Sequence, residues 1–185
     1  MGRARLRVRA DERAITSAAP RKPIPRPALV LGWAGMIPLA AASVLIWVLA
    51  RPLPALVLVL QMQYAAIVLS FLGAVHWGLA LAEYRGGVAD GEKGVYEGAG
   101  WGRYGWGLVL AFLGWLAIQL PPAAALLLLI VALAAAWLGD VVVARRGLMP
   151  RWYTRLRKPL TLVAILCMVA SLLGLGKVLP VVPGP

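Results

Sequence analysis

PLPALVLVLQMQYAAIVLSFLGAVHWGLALA occupies residues 52–82, a run of 31 residues that contains no Asp, Glu, Lys or Arg. A helix needs about 20 apolar residues to cross the ~30 Å hydrocarbon core of a bilayer, so this run predicts a transmembrane helix. The run exceeds one perpendicular crossing, which predicts either a strongly tilted helix or a first segment, near residues 53–60, at the membrane interface. Gln61 and Gln63 favour the interface.

The composition extends this prediction to the whole chain. Of its 185 residues, 62% are hydrophobic and 14% are charged, whereas a soluble domain has roughly 45–50% and about 25%. The mean hydropathy is +0.82. These values exclude a water-soluble globule and indicate a small integral membrane protein. The single cysteine, Cys167, excludes an intrachain disulfide and a cysteine-cluster zinc or iron–sulfur site.

Three further uncharged runs cover residues 27–50, 104–139 and 159–176. Pro38, near the middle of the first, predicts a kink because proline removes one helical hydrogen bond. Pro121 and Pro122 divide the second run into two helices. The sequence therefore predicts an all-α, polytopic membrane protein with one membrane domain over residues 28–182. Its bundle of five transmembrane helices is expected at about 28–50, 55–83, 104–120, 123–143 and 159–179.

The Lys and Arg residues are sorted between the two sides of this bundle. Seventeen of the 19 lie before the first helix, between the second and third, or between the fourth and fifth; Arg51 and Lys177 lie on the other side. Because cytoplasmic loops are enriched in Lys and Arg, the N-terminus is predicted inside and the C-terminus outside. Residues 1–27, rich in Arg and Pro, are predicted to form a disordered basic cytoplasmic tail.

Ionisable residues within the predicted helices are candidate functional positions, because a charged group in the bilayer costs about 2.5–3.5 kcal/mol on insertion scales. His76 and Glu83 are seven residues apart on the second helix and therefore share a face. Asp140 lies about one turn from the inner end of the fourth helix. We therefore predict a polar cluster of His76, Glu83 and Asp140 toward the inner leaflet.

Each of these residues also has a structural interpretation. Asp140 could pair with Arg145 or Arg146, and His76 could make a helix-packing hydrogen bond worth ~0.6–2 kcal/mol. The functional alternatives are a proton relay or a ligand site. Haem ligation by the single histidine would need a second ligand from elsewhere. No catalytic residue, metal ligand or bound cofactor is predicted.

The segment between the fourth and fifth helices carries six cations and two aromatic residues. Each Lys or Arg near an anionic leaflet contributes about 1 kcal/mol, so it is either a contact for acidic headgroups of the inner leaflet or an ordinary positive-inside anchor. Nucleic acid is not an expected partner. The candidate lipid contacts are Arg145, Arg146, Arg151, Trp152, Arg155, Arg157 and Lys158.

Several strings resemble the transmembrane protein 69-like family: GMIP at residues 35–38, SFLGAVHWG at 70–78 and PRWYTRLR at 150–157. The resemblance covers roughly residues 28–175, and the second string is its most specific part. Leu39 departs from the pattern, which has Phe after the proline. The resemblance implies a multipass membrane protein of unknown function, bacterial inner-membrane or mitochondrial. It draws attention to His76, Trp77 and Asp140 without assigning them roles.

The leading functional hypothesis is a non-enzymatic accessory, scaffold or assembly partner of a larger membrane complex, with other membrane subunits as partners. It rests on the small number of catalytic residue types and on two pairs of small residues suited to helix packing, Ala74/Gly78 and Ala170/Gly174. The first alternative is a small proton-coupled transporter or carrier that uses His76, Glu83 and Asp140. The second alternative is a haem- or quinone-binding membrane protein.

Overall fold

A computed structural model describes residues 23–90 and 100–178, and within these residues every regular element is a helix. Residues 1–22 of the predicted tail and residues 179–182 of the predicted membrane domain lie outside the described part. The fold class is therefore all-α, as predicted. The helices are α1 Arg26–Ala34, α2 Ile37–Val48, α3 Leu53–Asp90, α4 Gly100–Ala117, α5 Pro122–Arg145, α6 Arg151–Leu173 and α7 Leu175–Val178.

Four segments of the described chain are long and apolar enough to cross a membrane: residues 26–48, 53–82, 122–145 and 151–173. The first combines α1 and α2, which are separated by a turn at Gly35 and Met36. The kink predicted from Pro38 is present as this break. The break precedes the proline because Pro38 lies in the first turn of α2. A backbone N–H in that turn has no intrahelical partner, so proline is tolerated there.

Helix α3 is the longest element, with 38 residues. At about 1.5 Å per residue it is ~57 Å long, and it continues past the predicted end at residue 83 to Asp90. Gln61, which suggested a position at the membrane interface for residues 53–60, is instead 1% exposed in the core. Only Gln63 of this pair faces outward.

Glycines place α4 directly against α3. A Cβ added to Gly107 would lie 2.6 Å from the carbonyl oxygen of Gly73, and one added to Gly114 would lie 2.9 Å from that of Ala66. Small residues allow membrane helices to approach at backbone contact, which replaces the hydrophobic driving force that lipid removes. Trp77 secures the same contact, since its Nε1 donates to the Tyr104 carbonyl at 2.9 Å.

Arg51 and Lys177 connect the helix ends where α2 and α6 finish. We call this the opposite end of the bundle, because it lies away from the end where most of the cations are. Arg51 donates through Nε and Nη2 to the carbonyls of Lys177 and Gly176, at 2.9 and 2.8 Å. Lys177 donates to the carbonyl of Trp47 at 3.0 Å. These carbonyls belong to helix ends that lack an intrahelical partner. The two cations that depart from the charge sorting therefore cap helices.

Candidate functional site

Three charged or ionisable side chains from three helices meet inside the bundle, a group called the ionic centre below. Nε2 of His76 on α3 lies 3.1 Å from Oδ1 of Asp140 on α5, and Nε of Arg157 on α6 lies 3.0 Å from Oδ2 of the same carboxylate. His76, Asp140 and Arg157 are 1%, 2% and 6% exposed. The carboxylate thus links α3, α5 and α6.

The sequence explains how each member reaches this position. Asp140 is late in α5 and Arg157 is early in α6, so an antiparallel pair joined by residues 146–150 brings them together. Thr161, one turn after Arg157, accepts from its Nη1 at 2.9 Å. Charges buried in a low-dielectric interior need such pairing and additional hydrogen bonds to be tolerated.

The arrangement also defines what His76 can do chemically. An ionised carboxylate only accepts hydrogen bonds, so His76 Nε2 is the donor to it in this contact. Nη2 of Arg157 is buried without a hydrogen-bond partner among the described residues.

The structure brings two of the three predicted cluster residues together. His76 and Asp140 are in contact. Glu83 lies within α3, but its side chain is outside the described part of the chain. The alternative in which Asp140 pairs with Arg145 or Arg146 is wrong for this structure, because Arg157 supplies the cation.

Arg157 is also a correction to the predicted lipid contacts, because its guanidinium is enclosed between helices and paired with Asp140. The sequence could not distinguish Arg157 from the neighbouring cations. Arg157 and Thr161 share a helix face only if the helix begins before Arg157, and the predicted helix began at residue 159. Trp152 is half-buried and meets Tyr153 edge to face at 6.1 Å. The remaining candidates are exposed: Arg145, Arg146, Arg151, Arg155 and Lys158.

A cavity of about 640 Å³ opens beside the ionic centre. It lies at the end of the bundle where α3 and α5 finish and α4 and α6 begin, which we call the cationic end. His76, Arg103 and Arg146 supply its polar wall. Trp106 and Gly139 lie in the same wall, and a Cβ on Gly139 would lie 2.7 Å from the indole Nε1. That Nε1 is buried and has no hydrogen-bond partner among the described residues.

A second polar group, which we call the uncharged centre, lies nearer the opposite end and was not predicted. Gln61 on α3 donates through Nε2 to Ser43 Oγ at 2.8 Å and accepts through Oε1 from Ser171 Oγ at 2.7 Å. The hydroxyl oxygens of Ser43 and Ser171 also lie 2.9 and 3.1 Å from the carbonyl oxygen of Cys167, which offers each a second acceptor. The sequence signal was available, since these are among the few polar residues inside the apolar runs, but their partners are remote in sequence.

Within the described residues, no group of three or more His, Cys, Asp or Glu side chains is placed to hold a metal ion. The chemistry that the site does offer is hydrogen bonding and charge pairing by His76, Asp140 and Arg157, next to a cavity with two further cations.

Comparison with known proteins assigns the family. The profile described as "Protein of unknown function (DUF3429)" matches residues 24–173. The chain belongs to this family. DUF3429 therefore covers every described helix except α7 and includes both polar centres.

The transmembrane protein 69 of Xenopus tropicalis is 34% identical over 153 residues, which are 83% of this chain and 56% of that protein. The chain thus spans little more than half the length of the curated relative that it matches. No solved structure matches. The family resemblance predicted from the sequence is confirmed, and with it a multipass membrane protein from a family of unknown function.

Proposed function

We propose that this DUF3429 protein is a non-enzymatic accessory or assembly subunit of a membrane complex. The observation that carries the proposal is the different use of its two small-residue pairs. Gly174 of the Ala170/Gly174 pair packs inside the chain, where an added Cβ would lie 3.0 Å from Ile46 and 3.3 Å from Trp47. Ala74 and Gly78 on α3 are both exposed, and an added Cβ at Gly78 meets nothing within 4 Å.

The exposed pair offers the same surface that packs helices inside the chain. Small residues four apart let a second helix approach at backbone contact, and Phe71 and Trp77 flank the pair with exposed rings. Trp is among the residues enriched at protein interfaces. A transmembrane helix of another subunit is therefore the partner that this face fits.

The non-enzymatic part of the proposal is supported by how the buried polar side chains are used. Gln61 bonds to both serines of the uncharged centre, and Asp140 is bonded to His76 and Arg157. A nucleophilic mechanism needs a nucleophile beside a base with access to substrate. In the described chain these groups instead tie helices together.

The proposed topology has five crossings. His76 is late in α3 and Asp140 is late in α5, and these two residues touch. Helices α3 and α5 therefore finish at the same end of the bundle, which supports a return crossing between them. Helix α4, with 18 residues and ~27 Å of length, supplies that crossing.

The proposed orientation places the cationic end inside and the opposite end outside, so the N-terminus is inside and the C-terminus outside. The exposed cations Arg145, Arg146, Arg151, Arg155 and Lys158 then face acidic headgroups of the inner leaflet. The membrane is proposed to be the bacterial inner membrane, or the mitochondrial inner membrane in a eukaryote. We expect an alkaline phosphatase fusion after residue 185 to be active and one within residues 91–99 to be inactive; the reverse result would contradict the orientation.

The assembly role is tested by photo-crosslinking in native membranes. A photoreactive phenylalanine analogue at position 71, which flanks the small-residue pair and is 69% exposed, is expected to give one discrete adduct of higher mass, identified by mass spectrometry as a membrane protein. The same amino acid at position 41, where Ala41 is exposed on α2, is the matched control and should give none. Gly78→Leu should abolish the adduct at position 71. Equal labelling at both positions, or none at either, would contradict the proposal.

A second candidate function is a small proton-coupled carrier, and the observation that favours it is the cavity beside His76. A histidine at the wall of an open cavity can exchange a proton with a bound ligand. His76→Gln keeps a hydrogen-bond donor for Asp140 and removes the titrating ring. If this variant retains full function in cells, the carrier hypothesis is eliminated while the assembly proposal stands.

A further inference from the structure

Gln63 places an amide on the outer surface of α3, where the bundle faces the acyl chains of the bilayer. Its side chain is exposed and has no hydrogen bond to another residue of the described chain. The other exposed charged, amide or hydroxyl side chains of the four described spans are cations within eight residues of a span end: Arg26, Arg145, Arg151, Arg155 and Lys158. Gln63 is farther from both ends of its span than any of these.

The contacts of its neighbours place Gln63 at mid-depth. Gln61 donates to the carbonyl of Leu39 at 3.2 Å, and Tyr64 donates to the carbonyl of Gly35 at 2.8 Å. These two carbonyls flank the midpoint of the first span, so Gln63 lies level with the middle of that span. The hydrocarbon core offers no water to an amide, and a polar group without a partner is disfavoured there. The Gln63 amide therefore needs a partner from outside the described chain.

Gln63 belongs to a row of outward side chains on α3 that are spaced alternately three and four residues apart. This row, which we call the outer seam, consists of Leu60, Gln63, Ile67, Ser70, Ala74, Trp77 and Leu81. All of them are exposed except Ser70, which is half-buried. A period of 3.5 residues is the pattern by which two helices pack as a left-handed pair, and this crossing is common in membranes. A polar residue at one position of such a seam fixes the register of the pair.

From these observations we infer that α3 pairs along the outer seam with α3 of a second copy of this chain, and that the two Gln63 amides hydrogen-bond to each other. Copies inserted with one orientation are parallel, so a two-fold axis along the membrane normal sets each seam residue opposite its own counterpart. An amide carries both donors and an acceptor, so each Gln63 satisfies the other. The inference rests on the proposed function, because the seam includes Ala74, and it names the second copy as the subunit on this face.

The rest of the seam permits the close approach that this pairing needs. Ser70 and Ala74 are small, which lets two membrane helices come near backbone contact. Trp77 is the largest residue of the seam, but its Nε1 donates to the Tyr104 carbonyl at 2.9 Å and its ring meets the Tyr104 ring edge to face at 5.0 Å. Trp77 is therefore held against α4 and does not obstruct the seam.

The test is disulfide crosslinking in native membranes, with the full-length chain carrying Cys167→Ala so that it has no other thiol. Ile67→Cys places a thiol on the outer seam, one turn from Gln63. Ile37→Cys on α2 is the matched control, since the two isoleucines are 66% and 65% exposed. With copper phenanthroline as oxidant, Ile67→Cys should give a disulfide-linked species of twice the chain mass, and Ile37→Cys should stay monomeric. Equal dimer formation at both positions, or none at position 67, would overturn the inference.

The role of the amide is tested by Gln63→Leu, with self-association measured by energy transfer between two labelled populations diluted into liposomes. The variant should weaken the dimer by at least about threefold, the lower end of what a hydrogen bond between membrane helices contributes. Gln63→Asn keeps an amide on the seam and should retain more of the dimer. The fold should survive Gln63→Leu, because the side chain is exposed, and thermal unfolding at a dilution in detergent that keeps the chain monomeric checks this. An unchanged dimer affinity in Gln63→Leu would overturn the amide pairing.

The photo-crosslink at position 71 distinguishes a failure of this inference from a failure of the proposed function. If the adduct there contains a membrane protein of different sequence and Ile67→Cys gives no dimer, the second copy is wrong and the proposed function stands. If neither position gives a product, both are contradicted. An adduct at position 71 that contains only this chain, together with the dimer at position 67, supports the pairing of two copies.

Discussion

Replacing Gly107 with Ala should separate α4 from α3 and destabilise the bundle. The added Cβ would lie 2.6 Å from the Gly73 carbonyl oxygen and 2.9 Å from Trp77 Nε1. An ordinary contact begins near 3.4 Å, so the two backbones must move apart by roughly 0.8 Å or the methyl group remains overpacked. Overpacking of this kind costs about 1–3 kcal/mol, while the better helix propensity of Ala returns up to ~1 kcal/mol.

The free energy of unfolding should therefore fall by up to about 2 kcal/mol, the overpacking cost less the ~1 kcal/mol of helix propensity. For a chain of this size each kcal/mol corresponds to roughly 2–4 °C in Tm, so the variant should melt a few degrees lower. The assay is thermal unfolding in detergent, followed by tryptophan fluorescence and by loss of the monodisperse gel-filtration peak.

Gly105→Ala is the matched control for this prediction. Gly105 is on the same helix, is exposed, and an added Cβ there meets nothing within 4 Å. Its Tm should stay the same or rise, because only the propensity term applies. If Gly107→Ala melts at the same temperature as Gly105→Ala, the backbone contact between α3 and α4 does not contribute as argued.

Three further substitutions test the two polar centres by the same thermal assay. Asp140→Ala leaves the Arg157 charge buried without its partner and should lower the free energy of unfolding by about 3–5 kcal/mol. Adding Arg157→Leu should restore a large part of that loss, and no restoration would contradict the pairing. Gln61→Leu removes the bonds to both serines and should cost roughly 1–3 kcal/mol, whereas the exposed Gln63→Leu should be neutral. His76→Ala removes one hydrogen bond within the membrane and should lower the free energy of unfolding by about 0.6–2 kcal/mol. A loss as large as that of Asp140→Ala would refute the view that Arg157 is the main partner of the carboxylate.

The apolar runs were sufficient to predict the helices, because the bilayer requires every backbone polar group to be bonded within its own segment. This requirement makes a long apolar run almost unambiguous. The end of α3 was harder to predict, since α3 continues past residue 83 into a segment of mixed composition. There the chain leaves the apolar run, and composition no longer distinguishes a helix from a loop.

The polar contacts were predictable only in part, because periodicity gives the face of a helix but not its neighbour. His76 and Asp140 were identified since a charge in an apolar run stands out. Arg157 was hidden among the cations that set the topology. Gln61 was interpreted as a residue of the membrane interface, yet its amide bonds to serines 18 and 110 residues away in the sequence. Such pairings depend on which helices pack together.

Helix α4 explains why four segments meet the length and hydropathy of a membrane span while the proposed topology has five crossings. Helix α4 contains Arg103, Tyr104 and five glycines, which lower its hydropathy. In the structure Arg103 is buried, the Tyr104 carbonyl accepts from Trp77, and Gly107 lies on the backbone of α3. Its polar groups therefore face protein while Leu108, Val109 and Phe112 face outward. Hydropathy averages the two faces. In the proposed crossing only the second face meets the bilayer, because α3 covers the polar side of α4.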